Sequence, residues 1–201
     1  MYKLYDFLPS GNGYKVRLLL TQLHIPFELI QVNILNKETR TPEFLAKNPN
    51  GKIPLLEIEP NKFISESNAI LYYLSQNTEY FPQDKYQQAQ VMQWLFFEQY
   101  SHEPNIATPR YWISILQQPE QYQSQIKQKQ KLGYAALNVM ENHLKTHDFF
   151  VANKYTIADI CLYAYTHVAE EGGFNLSKFP AILTWLKRVQ SQPRHILITD
   201  Y

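Results

Sequence analysis

Strand signals stop at Tyr80-Phe81-Pro82, and that change of pattern limits what the chain can fold into more than any other feature. Before it, short apolar runs alternate with helical spacing. Tyr2 to Phe7 suits a buried strand, and Val16, Leu19, Leu20 and Leu23 then recur at i, i+3, i+4 and i+7 on one helix face. Phe27 to Ile34 offers a second strand. Thr41-Pro42-Glu43 reads as a helix start, with threonine as N-cap and proline in the first turn, and this helix must stop before Pro49. Pro54 to Glu59 and Lys62 to Ile64, joined by Pro60-Asn61, read as an antiparallel pair, and a last helix runs from about Glu66 to Gln76. The order βαβ, α, ββα describes a small mixed sheet with helices on its faces.

Past the break only helical spacing remains. Asp84 caps a helix predicted to reach about Glu103, and Leu137, Met140 and Leu144 mark another amphipathic stretch. Thr156-Ile157-Ala158-Asp159 is a capping box with aspartate in its third position, opening a helix whose stripe is Ile157, Ile160, Cys161, Ala164 and Val168. Ile182, Trp185, Leu186 and Val189 repeat the spacing behind Pro180. The expected organisation is an α/β domain over residues 1–78 and an all-α helical bundle over residues 86–201.

Composition narrows function by exclusion. A formal net charge of +1 gives no electrostatic case for nucleic acid or an anionic membrane. The start MYKLYDF lacks a signal-peptide pattern and no apolar run approaches bilayer length, so a cytoplasmic location is expected. The single cysteine, Cys161, excludes an intramolecular disulfide and any Cys-x-x-Cys pair, and its place on an apolar stripe reads as packing. Glu98 and His102 are four apart, but His102-Glu103-Pro104 is not His-Glu-x-x-His, and no metal is expected.

Pro54 opens the third strand directly after the β-branched Ile53, in Asn48-Pro49-Asn50-Gly51-Lys52-Ile53-Pro54. A proline donates no ladder hydrogen bond and is tolerated at a strand's first position, and an Ile-Pro bond in a tight turn is a plausible cis peptide. The backbone of Ile53 is then left unpaired by the chain's own sheet, and such an edge can hold a partner that presents its own peptide groups. Ser65-Glu66-Ser67 begins the next helix, where N–H groups and the helix dipole favour a carboxylate. The first βα turn, Phe7 to Tyr14, carries Ser10, Gly11, Asn12 and Gly13; its G-x-G lacks the third glycine of a dinucleotide fingerprint.

Asn48 to Pro54, Ser65 to Ile70 and Thr156 to Asp159, in this order and spacing, resemble the glutathione S-transferase superfamily over nearly the whole chain. The resemblance implies a thioredoxin-like first domain, a cis Pro54, and Ile53 pairing its backbone with the cysteinyl part of glutathione. It also implies Ser67 on the γ-glutamyl carboxylate, Glu66 on its amine or as a helix cap, and Lys52 near the glycyl carboxylate. Lys37 and Arg40 are weaker candidates for ligand contact. The first turn resembles the serine-type transferases of theta and related bacterial classes, in which Ser10 would donate its hydroxyl to the sulfur; Asn12, Tyr5 and Tyr14 are rivals. Related sequences often carry cysteine where Gly13 stands, so mixed-disulfide chemistry through the protein is disfavoured. An electrophile pocket would draw on Leu8, Tyr100, His102, Pro104, Arg110 and Tyr111. The implied activity is conjugation of the glutathione thiolate, as co-substrate and without a further cofactor, to a small hydrophobic electrophile by a homodimer. A non-catalytic ligand- or partner-binding protein of the same fold and a glutathione-dependent isomerase are the alternatives.

Overall fold

In β1 (Tyr2–Asp6) successive side chains turn to opposite faces: Leu4 and Asp6 are fully buried on one, and Tyr5 packs on the other. The computed structural model describes residues 1–201. β1 runs parallel to β2 (Phe27–Gln31) in register from Tyr2↔Phe27 to Asp6↔Gln31, a pairing that needs a crossover, supplied by α1 (Gly11–Gln22). β3 (Leu55–Glu59) is antiparallel to β1 and to β4 (Lys62–Ser65), giving the order β2-β1-β3-β4. α2 (Pro42–Lys47) covers the Tyr5 face through Phe44, which packs with Val32 and Leu55; α1 covers the Asp6 face and packs against α3 (Ser67–Ser75).

β2 is shorter than the sequence predicts. After Gln31, Val32 still donates to the Asp6 carbonyl at 2.7 Å, but Asn33 then turns the chain, its Oδ1 accepting the N–H groups of Leu35 at 2.9 Å and Asn36 at 3.2 Å. Asparagine's ability to close such a turn on its own side chain overrides the apolar alternation that continues to Ile34. The segment Pro193–Tyr201 groups with Met1–Gln76, whereas Asn77–Gln192 form the second unit. The tail lies on α1: Tyr14 hydroxyl donates to the Ile196 carbonyl at 2.8 Å, and Arg17 donates to the carbonyls of Ile198, at 3.0 Å, and of Asp200.

The second unit is all helical. α4 (Lys85–Phe97) is capped by Asp84, whose carboxylate accepts the Gln87 N–H at 3.0 Å. The helical path continues past the predicted end, widening to a π turn at Glu98–His102, tightening in α5 (Glu103–Arg110) and widening again at Tyr111–Ile115. Pro104 and Pro109 lie between the two wide turns; each lacks the N–H of a regular helical bond, a recognised cause of such distortion. α6 (Gln123–Leu144), α7 (Ile157–Thr166) and α8 (Pro180–Gln190) complete the unit, with every residue of α7 buried.

Asp159 ties α7 to α8 and to the Phe150 segment that precedes α7. Its Oδ1 accepts the Trp185 indole N–H at 2.9 Å and the Phe150 N–H at 3.2 Å; its Oδ2 accepts the Thr156 N–H at 3.0 Å. Burial pushes this carboxyl up to about 7, against the pull of those donors. Glu141 of α6 similarly accepts the N–H groups of Ala181, at 3.2 Å, and Ile182, at 3.0 Å, at the start of α8. No helix is long and apolar enough to cross a membrane.

Candidate active site

Ser10 closes the β1–α1 turn in an extended conformation (φ −74°, ψ 125°), and its Oγ accepts the Gly13 N–H at 3.3 Å, so it is the N-cap of α1. That bond uses an oxygen lone pair and leaves the hydroxyl proton for another acceptor. The first turn of α1 is pressed against Asp6: a Cβ added to Gly13 would stand 1.7 Å from Asp6 Oδ1. Asp6 is held in place by the Phe7 N–H at 2.7 Å and by Arg17 Nε at 3.0 Å, in an ion pair with neither side chain exposed. Burial pushes the Asp6 carboxyl up to about 6, with the Arg17 charge opposing. Position 13 is glycine because a buried carboxylate fills the space that a side chain would need.

Two residues after Ser10, Asn12 joins this turn to the start of α3. Lys15 Nζ donates to Asn12 Oδ1 at 2.7 Å and to Ser67 Oγ at 3.3 Å, and the Ser67 hydroxyl donates to Asn12 Oδ1 at 3.1 Å. Lys15 is fully buried and Ser67 nearly so. Ser67 opens α3, whose first-turn N–H groups have no acceptor within the helix. A helix start with a hydroxyl and a buried ammonium at its side suits a carboxylate.

The Ile53-Pro54 peptide is cis, and the β3 ladder begins only at Leu55, so Ile53 lies outside it. Lys52 is exposed, and its carbonyl accepts the Asn48 amide at 2.8 Å. Glu66 makes no side-chain cap; it takes a left-handed φ of 69°, which costs a non-glycine residue about 1 to 3 kcal/mol. Arg40 donates to the Asn50 carbonyl at 3.1 Å and lies over Gly51, bracing the turn, while Lys37 is exposed with φ 60°.

The structure thus brings Asn12 and Ser67 together in one network, with Ser10 at the same turn. It commits the two tyrosines elsewhere. Tyr5 hydroxyl donates to Glu57 at 3.1 Å on the α2 face, and fully buried Tyr14 holds the tail, its hydroxyl also 3.2 Å from His195 Nε2. Leu8, with Asp6, Phe7, Gln31, Val32 and Asn33, lines a cavity of about 270 Å³ in the first unit. In the second unit His102 is fully buried, its Nε2 2.9 Å from Thr166 Oγ1, and Arg110 pairs with Glu171 at 2.8 Å with little exposure. Tyr111 and Pro104 are half-buried, and Tyr100 is 87 % exposed. Cys161 is buried, and no group of three or more His, Cys, Asp or Glu is placed to hold a metal.

The N-terminal domain model of glutathione S-transferases matches residues 1–76 and the C-terminal domain model matches residues 91–193. The chain belongs to the glutathione S-transferase family. It is similar to a crystal structure of a glutathione S-transferase from Pseudomonas fluorescens, at 49% identity over 99% of both chains with a TM-score of 0.97. It is also 32% identical to glutathione S-transferase 1 of Schizosaccharomyces pombe, over 96% of this chain and 92% of the other. A disulfide-bond oxidoreductase of Escherichia coli is 28% identical over the same shares.

Lys15, which sequence reasoning does not single out, stands in the same network as Asn12 and Ser67. A detectable signal was present: Lys15 and Arg17 stand in Tyr14-Lys15-Val16-Arg17-Leu18, within a helix otherwise rich in apolar residues. Cations there are buried and must find acceptors.

Proposed function

We propose that this protein conjugates glutathione to a hydrophobic electrophile, in the manner of the serine-type bacterial transferases. The observation that carries the reading is the hydrogen-bonded union of Asn12, Lys15 and Ser67, with Ser10 in the same turn and an unladdered Ile53 before a cis proline in the same unit. Ile53 pairs its backbone with the cysteinyl residue, and the start of α3 at Ser67 takes the γ-glutamyl carboxylate. Glu66 faces the γ-glutamyl amine, and Lys52 the glycyl carboxylate. Ser10 and Asn12 then act as donors to the sulfur.

Magnitudes favour so modest a device. A thiol of pKa about 8.5 is a few per cent ionised at neutral pH, and lowering it by about two units takes about 2.7 kcal/mol. A hydrogen bond to a charged sulfur contributes about 1.5 to 3 kcal/mol and a helix N-terminus about 0.3 to 1. The thiolate is the nucleophile, and no base on the protein is required. Ser10→Ala is expected to raise the pKa of the bound thiol by about one to two units, because it removes one such bond. Ultraviolet titration of the bound thiolate measures this; an unchanged curve removes Ser10 from the chemistry.

The oxidoreductase name of the Escherichia coli relative motivates a second reading. Cys161 is buried and position 13 admits no side chain, so any disulfide chemistry falls to glutathione alone. One glutathione thiolate attacks a disulfide sulfur and expels a thiolate; a second attacks the mixed disulfide, releasing oxidised glutathione and the other thiolate. Assaying a panel of electrophiles beside a small disulfide separates the two readings. A second copy of the chain is the expected partner, supported by exposed Tyr72 and Tyr73 on α3 and by exposed Phe96 and Tyr100 in the helical unit. Light scattering giving the mass of one chain would remove that expectation.

A further inference from the structure

Lys15 is wholly buried one turn after Asn12, and its ammonium and the Ser67 hydroxyl both donate to the same atom, Asn12 Oδ1, at 2.7 and 3.1 Å. Two donors on one oxygen decide which way the carboxamide is turned. The opposite orientation would set the amide protons against an ammonium and a hydroxyl proton. The NH2 end of Asn12 is therefore directed away from Lys15 and Ser67.

The direction of the Ser67 hydroxyl matters equally. Its oxygen accepts from Lys15 at 3.3 Å while its single proton goes to Asn12. A carboxylate placed at the start of α3 would compete with Asn12 for that hydroxyl proton. Once the carboxylate takes it, Lys15 keeps Asn12 Oδ1 turned inward.

We propose that Lys15 is a positioning residue for the thiol: it fixes Asn12 with its side-chain NH2 as the donor to the sulfur, and through Ser67 it couples that donor to the carboxylate end of the same tripeptide. The proposal rests on the glutathione reading given above. An ammonium on the carbonyl oxygen also polarises the amide, making its NH2 a stronger donor to an anion. In this role Lys15 acts on the thiol through Asn12, to which it donates at 2.7 Å.

The test is a double-mutant cycle read on the pKa of bound glutathione. Lys15→Met is expected to raise that pKa by about one unit, about a tenfold loss of thiolate, as removal of one oriented donor predicts. Lys15→Gln, which can return one N–H to Asn12 Oδ1, is expected to restore part of the shift. In an Asn12→Ala background, Lys15→Met is expected to add nothing. An equal shift in that background means that the Lys15 charge acts directly through space, and it overturns the proposal. So does a wild-type pKa in both Lys15 variants. The wild-type protein supplies a readout that needs no substitution: the Asn12 side-chain amide resonances should move as the bound thiol ionises, and stationary resonances count against the proposal. If wild-type protein takes up no glutathione, the glutathione reading itself fails. If it binds glutathione with a lowered pKa that Lys15→Met and Lys15→Gln leave unchanged, only the role of Lys15 fails.

Discussion

Asp159→Ala is expected to lower stability by about 4 kcal/mol, enough to unfold the helical unit under mild denaturant. The substitution leaves the Trp185 indole N–H and the N–H groups of Phe150 and Thr156 without their acceptor, in a region with almost no solvent. An abandoned buried donor costs about 1 to 3 kcal/mol, and losses of this size belong to broken buried networks. For a chain of this length the melting temperature should fall by about 8 to 16 °C, at about 2 to 4 °C per kcal/mol. Asp159→Asn should cost roughly half, because one oxygen remains for Trp185 and Phe150 while its NH2 opposes the Thr156 N–H. Trp185 fluorescence during denaturation, isolated by replacing Trp94 and Trp112 with phenylalanine, reads the event. A loss under about 1 kcal/mol would show that Asp159 is not the tie between α7, α8 and the Phe150 segment.

Gly13→Ala is the second large effect, and it bears on chemistry as well as stability. The added Cβ would meet Asp6 Oδ1 at 1.7 Å and Cγ at 2.0 Å, and Asp6 has nowhere to retreat while Arg17 and the Phe7 N–H hold it. Either the first turn of α1 shifts, taking Ser10 and Asn12 with it, or the buried Asp6–Arg17 pair opens. Overpacking costs about 1 to 3 kcal/mol and breaking a buried pair about 3 to 5, so a loss of about 3 kcal/mol is expected. Turnover should fall further than stability alone explains, because both candidate sulfur donors sit on the displaced turn. Gly13→Cys should behave no better, and an enzyme of native stability carrying cysteine there would refute this explanation of the glycine. The absence of a cysteine from position 13 is thus a packing requirement of Asp6 as much as a chemical choice.

The parts of the fold that depend on local pattern were legible in the sequence. The βαβ, α, ββα order followed from spacing and turn residues, and the Thr156 to Asp159 box announced α7. The parts built from distant residues were not. That Glu141 would receive the N-terminus of α8 from 40 residues away left no trace in local spacing. Nor did the return of Pro193–Tyr201 to the first unit, where Tyr14 and Arg17 hold it. The places of Ser10, Asn12 and Ser67, at one turn and one helix start, were readable because turns and helix starts have characteristic residues. Lys15 was passed over because helical periodicity classifies a lysine as solvent-facing, although a helix so rich in apolar residues leaves it little solvent to face. For His102 and Arg110 residue type alone gave no sign of the partners that hold them within the helical unit, Thr166 and Glu171.

Glutathione binding by the first unit and ionisation of the bound thiol are inseparable in the proposed chemistry. Calorimetric titration of reduced glutathione at pH 7, in two buffers of different ionisation enthalpy, measures both together. If the thiol pKa falls by about two units from about 8.5, saturable binding should release about 0.7 proton per tripeptide bound. Binding without proton release, or no uptake at millimolar glutathione, would contradict that chemistry.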